Sequence, residues 1–241
     1  MKMCRILVID DDSESCELLT GCFKAERFET TSVRDGGHGL KLAASAAEQY
    51  DLIVLSVTLS GISAFEVLKS LRPQFDTPVV MLTTRDKKVD GIIGLEMGAD
   101  AFMLKPFNPR ELVAYARAIL RRTKDHHRRT FIPERISVGD VELDTVTRVA
   151  HRCGERLNLT SVEFGFLEML LRSAGQVITS EQLAEGVLGR TLSAYDRSVS
   201  VHVGNLRKKL GHRLGEIERI ITVRGQGYIY ANPQEHNFMS H

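Results

Sequence analysis

Three consecutive aspartates, Asp10-Asp11-Asp12, directly follow the apolar run Arg5 to Ile9. Thr83 follows a similar run, Val79 to Leu82, and Lys105-Pro106 follows another, Ala101 to Leu104. Carboxylates, a hydroxyl and an ammonium gathered at one end of neighbouring strands could bind Mg²⁺ and a phosphoryl group. Each feature alone is weak, because an acidic triplet is usually a solvated loop and a Lys-Pro step usually marks a turn. Their joint order and spacing make the combination specific. A phosphohydrolase built on the same cluster is disfavoured, since no Asp, Cys or Ser-His pair supplies an activated nucleophile.

A second group of residues points to different chemistry. From Asp196 to Leu210 the spacing predicts a helix with one apolar stripe, Val199, Val203, Leu206 and Leu210. The opposite face carries Arg197, Ser198, Val201, Gly204, Asn205 and Lys208, flanked by His202, Arg207 and Lys209. Short groups in the middle with cations at the margins suit a major groove, where cations neutralise phosphates and short groups reach base edges. This face alone reads more readily as a solvated charged helix. The Gly-rich hairpin around Arg224-Gly225-Gln226-Gly227 shifts the balance, because an exposed cation on a turn can enter a minor groove. The expected base contacts are Ser198, Ser200, Val201 and Asn205. Arg197, His202, Arg207, Lys208 and Thr222 are expected on phosphates and Arg224 in the minor groove. An adaptor whose helices bind only protein is the competing reading.

Short apolar runs at Arg5–Ile9, Leu52–Leu55, Val79–Leu82 and Ala101–Leu104 read as buried parallel strands. Helical spacing lies between and after them, at 15–24, 37–47, 64–71, 88–97 and 109–122, so the first half is expected to be doubly wound α/β. In the second half Ile136–Leu143 and Arg148–Leu159 read as strands, and Thr160-x-x-Glu163 caps a helix through Leu171. A helix at 180–187, the Asp196–Leu210 helix and two strand arms within Ile220–Tyr230 complete an α+β pattern. The chain has 241 residues and a net charge of +1, divided as −3 over residues 1–120 and +4 over 121–241. That asymmetry points weakly to an anionic partner for the second half. With no apolar run long enough to span a bilayer, and no signal-peptide core, no membrane role is expected and the expected location is the cytoplasm. Cys4, Cys16, Cys22 and Cys153 show no zinc or disulfide spacing and read as reduced, mostly buried small hydrophobes.

Residues 5–122, with Gly98-Ala99-Asp100 and Lys105-Pro106-Phe107, resemble the receiver domain of two-component response regulators. The resemblance implies a flavodoxin-like, five-stranded parallel sheet, Mg²⁺ at Asp10 and Asp11, phosphate contacts from Thr83 and Lys105, Phe102 as switch aromatic, and a cis Lys-Pro peptide. Ser56 stands where that family has its phospho-accepting aspartate, and Ser60, Ser63 and Ala64 also depart from the pattern. The receiver is therefore expected to be atypical, with no cofactor required, any Mg²⁺ binding weakened, and no aspartate for a cognate sensor kinase to phosphorylate. Asp51 cannot substitute, since it opens the strand about 17 Å from its end at about 3.3 Å per residue. Residues 132–232 resemble the OmpR/PhoB winged-helix domain, with 188–210 nearest its CpxR branch. This implies a winged helix-turn-helix reading double-stranded DNA, with RNA polymerase as a further candidate partner. The expected layout is a receiver at 1–122, a linker at 123–131, a DNA-binding domain at 132–232 and a disordered tail at 233–241. A homodimer is expected through the fourth helix, fifth strand and fifth helix. Its contact would involve Ile92, Leu95, Ala101, Phe102 and Tyr115, with Asp100, Glu111 and Arg117 retained from the family's ion pairs.

Overall fold

Strands buried on both faces must be apolar throughout, and β1 (Arg5–Ile9), β3 (Leu52–Ser56) and β4 (Val79–Thr84) are nearly so. In the computed structural model, which describes residues 3–45, 50–84, 86, 88–125, 135–192 and 196–232, they form the middle of a five-stranded parallel sheet. Its order is β2-β1-β3-β4-β5, with β2 (Glu29–Val33) and β5 (Ala101–Lys105) at the edges. Around it run α1 (Ser13–Ala25), α2 (Gly36–Ala44), α3 (Ala64–Leu71), α4 (Lys88–Glu96) and α5 (Pro109–Asp125). The strand order reverses at β1/β3, which opens a crevice at the carboxyl ends of the strands. Asp10, Ser56, Thr83 and Lys105 all lie at those ends. The Lys105-Pro106 peptide is cis.

β2 is absent from the apolar pattern because its sequence, Glu-Thr-Thr-Ser-Val, buries only Val33. An edge strand with one neighbour can remain polar on its open side.

Contacts divide the chain at Leu120/Arg121 into two compact units. In the second, β6 (Arg135–Val138), β7 (Val141–Asp144), β8 (Val149–Arg152) and β9 (Glu155–Leu157) form an antiparallel meander, so each of the two strands expected there is a hairpin. α6 (Ser161–Arg172) starts at a capping box in which Thr160 and Glu163 satisfy each other's backbone amides. β10 (Ile178–Thr179) leads into α7 (Ser180–Leu183), which continues as a π-helical turn over Ala184–Leu188. α8 (Ser198–Leu210) follows, then a small hairpin of β11 (Arg213–Leu214) and β12 (Ile217–Glu218). The wing, β13 (Ile220–Val223) and β14 (Gly227–Tyr230), pairs with β10 through β14. Gly227 permits that pairing, because any Cβ there would collide with the Ile178 carbonyl.

α5 extends three residues into the span expected to be linker, while 126–131 and the expected tail, 233–241, lie outside the described residues. Of the four cysteines only Cys16 is fully buried, and Cys153 is exposed. No helix among the described residues is long and apolar enough to cross a membrane.

Candidate nucleic-acid interface and acidic pocket

The acidic triplet divides into three separate tasks. Asp10, fully buried at the end of β1, accepts a hydrogen bond from Lys105 Nζ at 2.5 Å and one from the Asp12 amide at 3.2 Å. Asp11 accepts from the Ser60 hydroxyl at 2.9 Å. Asp12 is the N-cap of α1, and the Ser15 hydroxyl at 2.6 Å holds its carboxyl below the usual range. Ser56 is 0% exposed, with its Oγ 3.2 Å from Thr58 Oγ1 and 3.4 Å from Lys105 Nζ. Thr83, also buried, is the last residue but one of the adjacent strand β4. Ser63 caps α3 in a capping box with Glu66, so the loop residues that depart from the receiver pattern have local roles.

Mg²⁺ favours several oxygen ligands in octahedral array, with carboxylates carrying the charge. Among the described residues no three His, Cys, Asp or Glu side chains converge, and one of the two pocket carboxylates already faces an ammonium. This donor set fits the ion poorly.

On α8 the expected stripe holds, since Val199, Val203, Leu206 and Leu210 are buried. Three residues expected at DNA are also buried. Ser198, 1% exposed, donates to Asp196 at 2.7 Å and accepts from Arg190 at 3.1 Å. His202, 1% exposed, packs its ring on Phe166 with centroids 5.3 Å apart. Asn205 is 6% exposed. Spaced i, i+4 and i+7, they form a second buried stripe beside the apolar one, so the assignment of Ser198 and Asn205 to base edges and His202 to a phosphate is corrected.

Arg207 is corrected too: its guanidinium donates to the Ile220 carbonyl at 2.6 Å and to the Thr222 hydroxyl at 2.7 Å, clamping α8 to the wing. Lys209 donates to Glu163 at 2.6 Å, tying α8 to the first turn of α6. Arg197, Ser200 and Lys208 remain exposed, with Val201 and Gly204 partly so, in one outward stripe. Arg224 and Thr222 are exposed on the wing, Arg224 in a turn closed by the Gln226 amide on the Val223 carbonyl at 3.0 Å.

The sequence reading missed the residue that joins these parts. Arg219 is 0% exposed and donates bidentately to Asp140 at 2.5 and 2.9 Å, and also to Tyr230 Oη at 3.0 Å and to the Gly211 and Arg213 carbonyls. It thus fastens the end of α8, the wing and the β6–β7 turn. Its hydrogen bonds, with help from Arg152, pull the Asp140 carboxyl from 3.8 to about 2. Asp140 lies 79 positions away, so no local spacing signals the pair. At the other end of α8, Arg190 pairs with Asp196, whose carboxyl these hydrogen bonds lower against the opposing effect of burial.

In the first unit, Leu95, Asp100, Ala101 and Tyr115 are buried inside their own protomer, which corrects the expected dimer contact. Asp100 is taken up by Arg72 and the Val79 amide, both at 2.8 Å. Arg117 pairs with Glu26 of α1, whereas Ile92 and Phe102 are half-buried and Glu111 is exposed.

Residues 6–117 match the family described as "Response regulator receiver domain", and residues 154–230 match "Transcriptional regulatory protein, C terminal". The DNA-binding response regulator MtrA of Mycolicibacterium smegmatis is 41% identical over 224 residues, covering 93% of this chain and 95% of its own. A transcriptional regulatory protein CpxR homolog of Haemophilus influenzae is 38% identical, covering 94% and 98%. Among solved structures, a substituted form of RitR superposes with a TM-score of 0.74 at 26% identity, covering 95% of this chain and 99% of that one. With both family segments in order and full-length relatives at this identity, the chain belongs to the OmpR/PhoB-type DNA-binding response regulators of two-component systems.

Proposed function

We propose that this transcriptional regulator reads duplex DNA in the cytoplasm by laying the outward stripe of α8 (Arg197, Ser200, Val201, Gly204, Lys208) in the major groove, with Arg224 entering the adjacent minor groove. One observation carries the reading. Arg207, Lys209 and Arg219 are bound into the protein, whereas Arg197, Lys208 and Arg224 are exposed and form no ion pair among the described residues. Lys208→Ala is expected to weaken binding to all sequences alike and to lower the slope of log K against log salt by about one unit, as fluorescence anisotropy would measure. A salt slope unchanged in Lys208→Ala, Arg197→Ala and Arg224→Ala would favour the protein-only adaptor instead.

DNA binding is further proposed to be independent of aspartyl phosphate and of Mg²⁺. Among the described residues the hydrogen-bond partners of the Ser56 hydroxyl are a hydroxyl and an ammonium, and neither accepts its proton as a general base would. Small phosphodonors with Mg²⁺ should leave the intact mass unchanged, and Ser56→Ala should bind DNA as tightly as the parent. A phosphorylated Ser56 whose alanine variant lost binding would reverse this.

The working form is proposed to be a homodimer meeting through the solvent-facing parts of α4, β5 and α5. Val89 is 65% exposed there, with Ile93 one turn along, beside Ile92, Phe102 and Glu111. An Ile93→Asp variant that sedimented as the parent does would exclude this face. RNA polymerase is the proposed protein partner at the promoter.

A further inference from the structure

Glycine is among the least favourable residues for a helix interior, so a glycine within one calls for a reason. Most helical glycines here have an internal one. A Cβ on Gly91 would lie 2.6 Å from the Phe102 ring, on Gly39 2.6 Å from Ile9, and on Gly165 2.8 Å from Val187. Among the described helices only Gly21 and Gly204 would meet no heavy atom within 4 Å. Gly204 is the seventh of thirteen residues in α8, and its φ is not positive. Neither packing among the described residues nor backbone conformation accounts for it. Its position does suggest a use, since it lies on the outward stripe between Val201 and Lys208.

We infer that Gly204 is a specificity-determining residue whose missing side chain leaves an apolar notch in the outward face of α8, seating the C5-methyl of a thymine. The floor of the notch is backbone Cα–H, and Val201, the preceding residue of the same outward stripe, is apolar too. The thymine methyl is the apolar group that base pairs present in the major groove, whereas amino and carbonyl edges would be left without partners at such a surface. The inference rests on the proposed groove-reading role of α8.

The test uses the full chain and a duplex selected by it from a randomised pool, together with versions of that duplex carrying deoxyuridine, which lacks the methyl, at each thymine in turn. The unsubstituted protein should lose about fourfold in affinity at one thymine, the value of one buried methyl group. Gly204→Ala should raise the unfolding midpoint of the second unit by about 4 °C. It should nevertheless bind the selected duplex about tenfold more weakly and no longer distinguish thymine from deoxyuridine at that position. A gain in stability with loss of binding is the opposite of what a structural role would give. If Lys208→Ala weakens binding while Gly204→Ala does not, or if every deoxyuridine duplex binds like the parent duplex, the notch is refuted and groove reading stands. If neither substitution alters affinity, groove reading fails and the notch with it.

Discussion

The acidic pocket of the first unit and the basic surface of the second handle their charges in opposite ways. In the pocket the polar groups turn on one another: Lys105 answers Asp10, Ser60 answers Asp11, Ser15 answers Asp12, and Ser56 lies buried among them. On the basic surface the cations are sorted. Arg207, Lys209 and Arg219 hold α8, the wing and the surrounding elements in register, while Arg197, Lys208 and Arg224 stay exposed with no ion pair among the described residues. A charge therefore indicates ligand binding only after its internal partners have been subtracted.

The sharpest way to break this contrast is at Arg219. Arg219→Met leaves Asp140 without its bidentate partner and should cost the second unit about 3 to 5 kcal/mol in urea unfolding, with the transition of the first unit unmoved. A loss below about 1 kcal/mol would mean that the network is not what holds the wing. Lys105→Met is the matching test in the pocket. Because Lys105 faces the fully buried carboxylate of Asp10, a loss of about 3 kcal/mol is expected in the first unit alone, and DNA affinity should not change.

His202→Ala separates inward from outward positions on α8. A buried ring removed from Phe166 should cost about 2 kcal/mol of stability with sequence preference unchanged, whereas Ser200→Ala should shift preference at nearly constant stability. Selection on randomised duplexes and thermal unfolding together decide between them. The smallest expected effect is that of pH. Asp140 is pulled down in the folded state, so its contribution is complete above its ordinary value of 3.8 and is lost as pH falls through about 2. The unfolding curve of Asp140→Asn should therefore be the flatter of the two between pH 4 and pH 2.

The sequence carried the parts of this molecule whose cause is local. β1, β3 and β4 are legible because strands buried on both faces have to be apolar throughout, and the start of α6 because Thr160 and Glu163 satisfy each other within one turn. β2 escaped because half of an edge strand faces water. On α8 the apolar stripe was legible and the polar side was not. Residue type places Ser198, His202 and Asn205 outside, yet their common spacing marks a second buried stripe, found only by asking which polar residues repeat alongside Val199, Val203 and Leu206.

Sequence by itself determined the order of the apolar strands and main helices, the two units, the pocket composition and the helix that carries the basic face, since hydrophobic period, capping and turn chemistry act over a few residues. Tertiary structure decided which charges remain available: Asp140 meets Arg219 across 79 positions and Asp10 meets Lys105 across 95. Such pairs are set by how the elements pack, because a buried charge must find its partner wherever the fold brings one within hydrogen-bond reach.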